Sequence, residues 1–320
     1  MAGSRSVVLA ALVANGAIAI LKFIGFLLTA SPSMLSETYH SISDTGNQVF
    51  LLIGIRFGKR DADRQHPFGY GKAQFFYSFV VSILLFGIAG WESAKHGYSK
   101  LTEGGHGGGS ETIEFLGFVY EPSFGFDPVL VNYSVLLLAI VFETWAFKKA
   151  YAEMSRQMEE NDWSSLREAF RKTSDVTTLT ALTEDTIALG GLVFALVGIF
   201  LAQQTGIEAF DSGAALLIGI MLMGFALALA WENKRLILGE SLPKDDENEL
   251  RQIVADWDGV DHVVDFRTVY FGPERVIVTA DVAFDAGIDG TELDDRITAI
   301  EDALTDTNGG VRKVYIEPEV

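Results

Sequence analysis

The 320-residue chain contains no cysteine. Disulfides and thiolate metal sites are therefore excluded, and any bound metal must be held by oxygen and imidazole nitrogen. Histidine is scarce, with five residues, and proline numbers only seven. Positive charge is short as well: 24 Lys and Arg stand against 43 Asp and Glu, a net charge of −19. The deficit is uneven. Residues 240–320 carry 21 acidic and 7 basic residues, a net −14, which leaves −5 for the first 239. Such a segment is repelled by nucleic acid and by anionic lipid, so no nucleic-acid partner is expected. Its acidity fits either a generic solvated surface or adaptation to a high-salt organism. HExxH, the usual signature of a membrane metallohydrolase, is missing, and no nucleophile constellation replaces it. The expectation is that the chain is not an enzyme.

Apolar sequence, by contrast, is plentiful. Hydrophobic residues make up 49% of the chain and the mean hydropathy is +0.25. A bilayer-spanning helix needs about 20 mostly apolar residues. Six stretches qualify: 7–29, 34–57, 73–97, 129–151, 177–202 and 210–233. One basic residue precedes the first of them, which reads as a full-length span rather than a cleavable signal. Arg5, the loops after the second and fourth spans, and the Lys234–Arg235 pair hold 14 basic residues, whereas the opposite side holds Lys95 and Lys100. Positive residues favour the cytoplasm, so both termini are expected there. Between the third and fourth spans, residues 98–128 include "EGGHGGGSE", which reads as a flexible exposed loop in which His106 has no metal role.

After residue 238 the pattern changes. "ENELRQIVADW" has helical spacing, and "HVVDFRTVYFG" and "RVIVTADVAF" alternate as strands around the turn "FGPER". An amphipathic helix, "ELDDRITAIEDALTD", and a last strand, "VRKVYIEP", complete an αββαβ order, a small open sheet with helices on one face. The expected domains are residues 1–239 in the membrane and 240–320 outside it.

Ionisable residues inside the spans need a reason, because each costs at least about 2.5–3.5 kcal/mol on insertion scales. In "SETYHSISDTGNQ", His40, Asp44 and Asn47 fall at i, i+4 and i+7 on one helical face, with Glu37 a turn earlier. On the fifth span "LTEDTIALGG" sets Glu184 beside Asp185; neighbours diverge by about 100° around a helix, so both cannot point fully at one site. An imidazole and a carboxylate facing one or two carboxylates make an N/O₃ set suited to a divalent metal. Interhelical hydrogen bonding is the plainer alternative, but an Asp opposite an acidic pair repels without a cation. Asn47 fits a ligand or simple packing equally well. Glu92 and Glu143 read as interfacial, Asp211 as an acid favoured at a helix N-terminus, and His66 in "HPFGYGK" as part of a structural turn. Glycines recur in "GGLVFALVG" and "GAALLIGIMLMG", where helix backbones can approach closely.

Taken in order, "HSISDTGNQ", "DADRQHPFGYGKAQ", "EDTIALGG", "FDSGAALLIGIML" and "LILGESLP" resemble the cation diffusion facilitator family over nearly the whole chain. The resemblance implies a polytopic protein of six transmembrane helices with a C-terminal ferredoxin-like cytoplasmic domain. It also implies a homodimer, formed through the membrane and cytoplasmic domains, that exports zinc or a related divalent ion against protons by alternating access. His40 and Asp44 match the family's pair on the second span, and Asp185 matches the second residue of the pair on the fifth. The first residue of that pair, usually His or Asp, is Ala181 here, and "ED" resembles a branch that includes a mitochondrial zinc exporter. Glu184 or Asn47 is then expected to complete the site. No prosthetic group is implied, only the transported ion: Zn²⁺, with Mn²⁺, Fe²⁺ or Co²⁺ as the alternative for an oxygen-richer set. A multi-pass protein of a prokaryotic cell membrane is expected. A metal sensor that does not transport, or an intramembrane metalloenzyme, is the reading from another class.

Overall fold

A computed structural model describes residues 2–102, 113–115, 118–120, 128–160, 163–166, 168–169, 176–273 and 275–319. All six apolar stretches lie in helices. These are α1 (Ala2–Thr29), α2 (Pro32–Gly58), α3 (Ala73–Leu84) running through a π-helical turn (Leu85–Gly90) into α4 (Trp91–Thr102), α5 (Pro128–Glu160), α6 (Val176–Thr205) and α7 (Ala209–Leu238). Among the described residues, four stretches are long and apolar enough to cross a membrane: Ala73–Thr102, Leu130–Glu160, Leu182–Thr205 and Ala209–Leu238. Asn15–Thr29 is a shorter apolar helix, and the polar stripe along α2 lowers that helix's hydropathy. The segment expected to be a structureless loop carries a short antiparallel pair, β1 (Ile113–Phe115) and β2 (Phe118–Tyr120), with Ile113 opposite Tyr120. "IEF" and "FVY" are rich in residues that favour strands, which a glycine-rich neighbourhood obscured. His106 lies outside the described residues.

The chain divides into two compact units, residues 1–49 with 81–228 and residues 50–80 with 229–320. In the first unit the usual distribution of a water-soluble protein is inverted. Ile20, Ile24, Leu137, Val141, Val193 and Leu217 are exposed, whereas Lys22, Ser33, Glu37 and His40 are buried. Such an exterior suits hydrocarbon, and the polar groups turn inward to find one another. Small residues let the helices close up. A Cβ on Gly97 would lie 2.5 Å from Leu216 N and 2.7 Å from Ser212 O, and one on Gly219 would run into the backbone of Ala94. One on Gly198 would meet Phe210 O at 3.0 Å, whereas Gly213 and Gly224 have open space around them and take no part.

The second unit contains the αββαβ order: α8 (Lys244–Ala255), β3 (Val260–Gly272), β4 (Arg275–Phe284), α9 (Gly290–Thr307) and β5 (Val311–Glu319). The sheet order is β3-β4-β5; β3 and β4 are antiparallel, and β4 and β5 are parallel. A parallel pair requires a crossover, which α9 supplies. Asp289 starts α9 by accepting hydrogen bonds from the Thr291 and Glu292 amides, both 2.9 Å. Leu250 and Val254 of α8, Ile300 and Leu304 of α9, and Val278 and Val282 of β4 share one buried core. In the same unit, Asp63 organises the loop after α2. Its carboxylate accepts from the Gln65 and His66 amides and, at 2.6 Å, from the Tyr70 hydroxyl. Hydrogen bonds to Tyr70 and His66 hold the Asp63 carboxyl below its ordinary pKa, and Asp63 raises that of Tyr70. The His66 and Tyr70 rings lie tilted by 33° with their centroids 4.1 Å apart.

Candidate metal centre

The polar face of α2 is set up from its N-terminus. Pro32 opens the helix, where a missing N–H costs nothing. Asp211 of α7 then accepts from the Ser31 hydroxyl at 2.7 Å and from the Ser33 amide at 3.2 Å. Asp211 therefore does more than favour its own helix terminus, the role expected from sequence; it also caps α2. Further along, Ser36, Thr38 and Thr45 donate to carbonyls four residues back, so their hydroxyls are satisfied within the helix. Glu37, His40, Asp44 and Asn47 are left to find partners elsewhere.

His40 is 1% exposed and neither ring nitrogen has a hydrogen-bond partner; Nδ1 lies 3.5 Å from Asp44 Oδ1. That separation marks an approach rather than a hydrogen bond, and a buried imidazole with both nitrogens free is suited to ligation. Asp44 is 9% exposed, and Glu184 of α6 interacts electrostatically with it and with Asn47. Two carboxyl groups that approach one another repel unless a proton or a cation lies between them. His40 thus lies beside Asp44 on α2, and Glu184 of α6 interacts with Asp44 and Asn47. Among the described residues, no group of three His, Asp or Glu converges tightly enough to hold a metal ion. Asp185, half-buried one position on, interacts electrostatically with Glu143 and Glu184. The side chain of Ala181 lies outside the described residues.

Two features escaped the sequence reading. Glu143, expected at the interface, lies mid-way along α5 and interacts electrostatically with Asp44, Glu184 and Asp185. Lys22 of α1 donates to Glu37 at 2.8 Å, with both side chains wholly buried. The partner of a lone lysine in an apolar span is set by packing and leaves no mark in spacing. Its presence amid apolar residues was the one available signal.

With the contacts of α2 and α6 established, comparison with known proteins decides the family. The model for the cation efflux transmembrane domain matches residues 8–238, and that for the cation efflux protein cytoplasmic domain matches 242–319. The chain belongs to the cation efflux family. Within it, the chain is 27% identical over 286 residues to the human "Proton-coupled zinc antiporter SLC30A9, mitochondrial", covering 89% of this chain and 47% of that protein. It is 24% identical over 281 residues to "Metal tolerance protein C4" of Arabidopsis thaliana, covering 88% and 57%. To the "Cation-efflux pump FieF" of Serratia proteamaculans it is 24% identical over 276 residues, covering 85% and 79%. The chain spans about half the length of the first of these curated relatives. As a cation efflux protein it has a membrane domain, and its buried acids lie within the residues matched to that domain.

Proposed function

We propose that this cation efflux protein exports a divalent metal ion, Zn²⁺ foremost, in exchange for protons by alternating access. One observation carries the reading: inside the matched domain, a buried imidazole with both nitrogens free, His40, lies 3.5 Å from the buried carboxylate of Asp44 on α2, among apolar helices. The metal would enter from the cytoplasm between α2 and α6 and be taken by His40, Asp44 and Glu184, with Asn47 and Asp185 at the margin. The ligands must be deprotonated to bind, so protons compete with metal, and protonation from the far side expels it. Mid-membrane binding between helices that move is the common plan of secondary transporters. The named activity of the human relative supports both zinc and proton coupling. The oxygen-rich contacts of Glu184 favour a second reading in which Mn²⁺, Fe²⁺ or Co²⁺ is the preferred ion.

The reading includes six membrane spans, with residues 1–239 in the membrane and 240–320 as a ferredoxin-like cytoplasmic domain. Both termini are cytoplasmic in a prokaryotic cell membrane, and the homodimer forms through both domains. The charge bias of the loops and the relatives' bacterial members support it. Flux into proteoliposomes with a panel of ions at two pH values tests the function. Zn²⁺ uptake that is driven by a proton gradient and lost in Asp44→Ala is expected. Full transport by that variant would end the proposal, and strong Mn²⁺ flux beside negligible Zn²⁺ flux would select the second reading.

A further inference from the structure

Lys22 and Glu37 are the most enclosed charged pair among the described residues. Both side chains are 0% exposed and the ammonium donates to Glu37 Oε2 at 2.8 Å. Burying such a pair is costly, and hydrophobic residues of similar size often serve stability as well or better. A reason beyond stability is therefore needed.

The pair's place supplies one. Glu37 lies one turn before His40 on α2, so the ammonium that it holds at 2.8 Å stays beside the polar face, and that charge acts on His40, Asp44 and Glu143. The carboxylate is held at the other end: Oε1 has no hydrogen-bond partner and rests against Gly191 of α6, where a Cβ would lie 2.5 Å away. Lys22 is anchored three residues before His40 in the α2 sequence, through Glu37, and cannot drift into the site while that clamp holds.

In the transport reading, a divalent ion on His40, Asp44 and Glu184, with the charges of Glu143 and Asp185 acting on those acids, would be gripped strongly in a medium of low dielectric. A carrier must also let go. We propose that Lys22, clamped by Glu37, sets the affinity of the metal centre: its fixed positive charge weakens the acids' hold on a divalent ion and speeds release. The proposal rests on the transport reading above. Lys22 and Glu37 act through the ligands and are positioning residues in that sense.

Three variants separate this role from that of a strut between α1 and α2. Metal affinity is measured by competition with a chelating dye on purified protein, and the KM and maximal rate of Zn²⁺ flux are measured in liposomes. Lys22→Met should bind Zn²⁺ at least about tenfold more tightly, with a lower KM and a lower maximal rate. Glu37→Gln, which releases the ammonium from its clamp, should bind at least about tenfold more weakly, with a raised KM. The double variant Lys22→Met/Glu37→Gln should fall between wild type and Lys22→Met. A strut would lower the maximal rate in all three and leave affinity unchanged; that result overturns the proposal, as do single-variant shifts of the same sign. Should either single variant fail to fold, the uncharged double variant decides: tighter binding than wild type upholds the proposal, and equal or weaker binding overturns it. Wild type that binds no divalent ion at all would instead sink the transport reading.

Discussion

The unusual chemistry of α2 comes down to how few side chains share a small volume. His40 has two free nitrogens and lies 3.5 Å from Asp44, and Glu184 interacts electrostatically with Asp44 and Asn47. Glu184 and Asp185 therefore differ in rank although they are neighbours in sequence. If the transport reading holds, Glu184→Gln should cut metal flux by at least about tenfold, because it removes a carboxylate whose charge acts on Asp44, while Asp185→Asn should cost less. A larger loss in Asp185→Asn would reverse that order. Asp63, in the loop after α2, gives a pH effect of known sign. Hydrogen bonding to Tyr70 and to the loop amides lowers its pKa in the fold, so its contribution to loop order is present above its unfolded pKa and lost as pH falls through the folded one. The exchange protection factor at residues 65 and 66, corrected for the intrinsic pH dependence of amide exchange, should fall on acidification, and Asp63→Asn should show low protection without that pH step.

At the scale of elements, the helix contacts depend on particular small or capping residues. Asp211 closes the start of α2 through Ser31 and Ser33, so Asp211→Ala should destabilise the membrane domain by about 0.5–2 kcal/mol, the usual cost of a lost N-cap. Its melting temperature in detergent would show this. Gly219 lies against the backbone of Ala94, where no flexible side chain can give way. Gly219→Val should cost about 1–3 kcal/mol by overpacking, while Gly224→Val, with open space around it, should be far milder. Equal melting temperatures for the two variants would contradict the close approach of α4 and α7.

For the molecule as a whole, the C-terminal stretch has what it needs to fold: two helices, three strands and one continuous apolar core. Residues 242–319 match a domain of their own. Ile300→Ala, in a fully buried position, should cost residues 240–320 about 2–5 kcal/mol in a denaturant titration of the isolated segment. Its charge of −14 brings self-repulsion that salt screens, so the isolated segment should melt higher at molar salt than at low ionic strength. Salt-independent melting would argue against adaptation to a high-salt organism.

Several of these features were readable directly from the chain. The six helical stretches follow from the length of apolar runs, since a helix satisfies its own backbone wherever it lies. The αββαβ order follows from a change of hydrophobic period after residue 238, and β3 and β4 fall where alternation put them. The shared face of His40, Asp44 and Asn47 follows from helical spacing alone. Tertiary structure was needed wherever the partner sits on another helix. It brought Glu143 of α5 and Glu184 of α6 into electrostatic range of Asp44, gave Lys22 to Glu37, and turned Asp211 into a cap for α2. The reason is geometric: periodicity fixes the angle of a side chain about its own axis, whereas the rotation and depth of the next helix are set by packing, and only packing brings two such angles together.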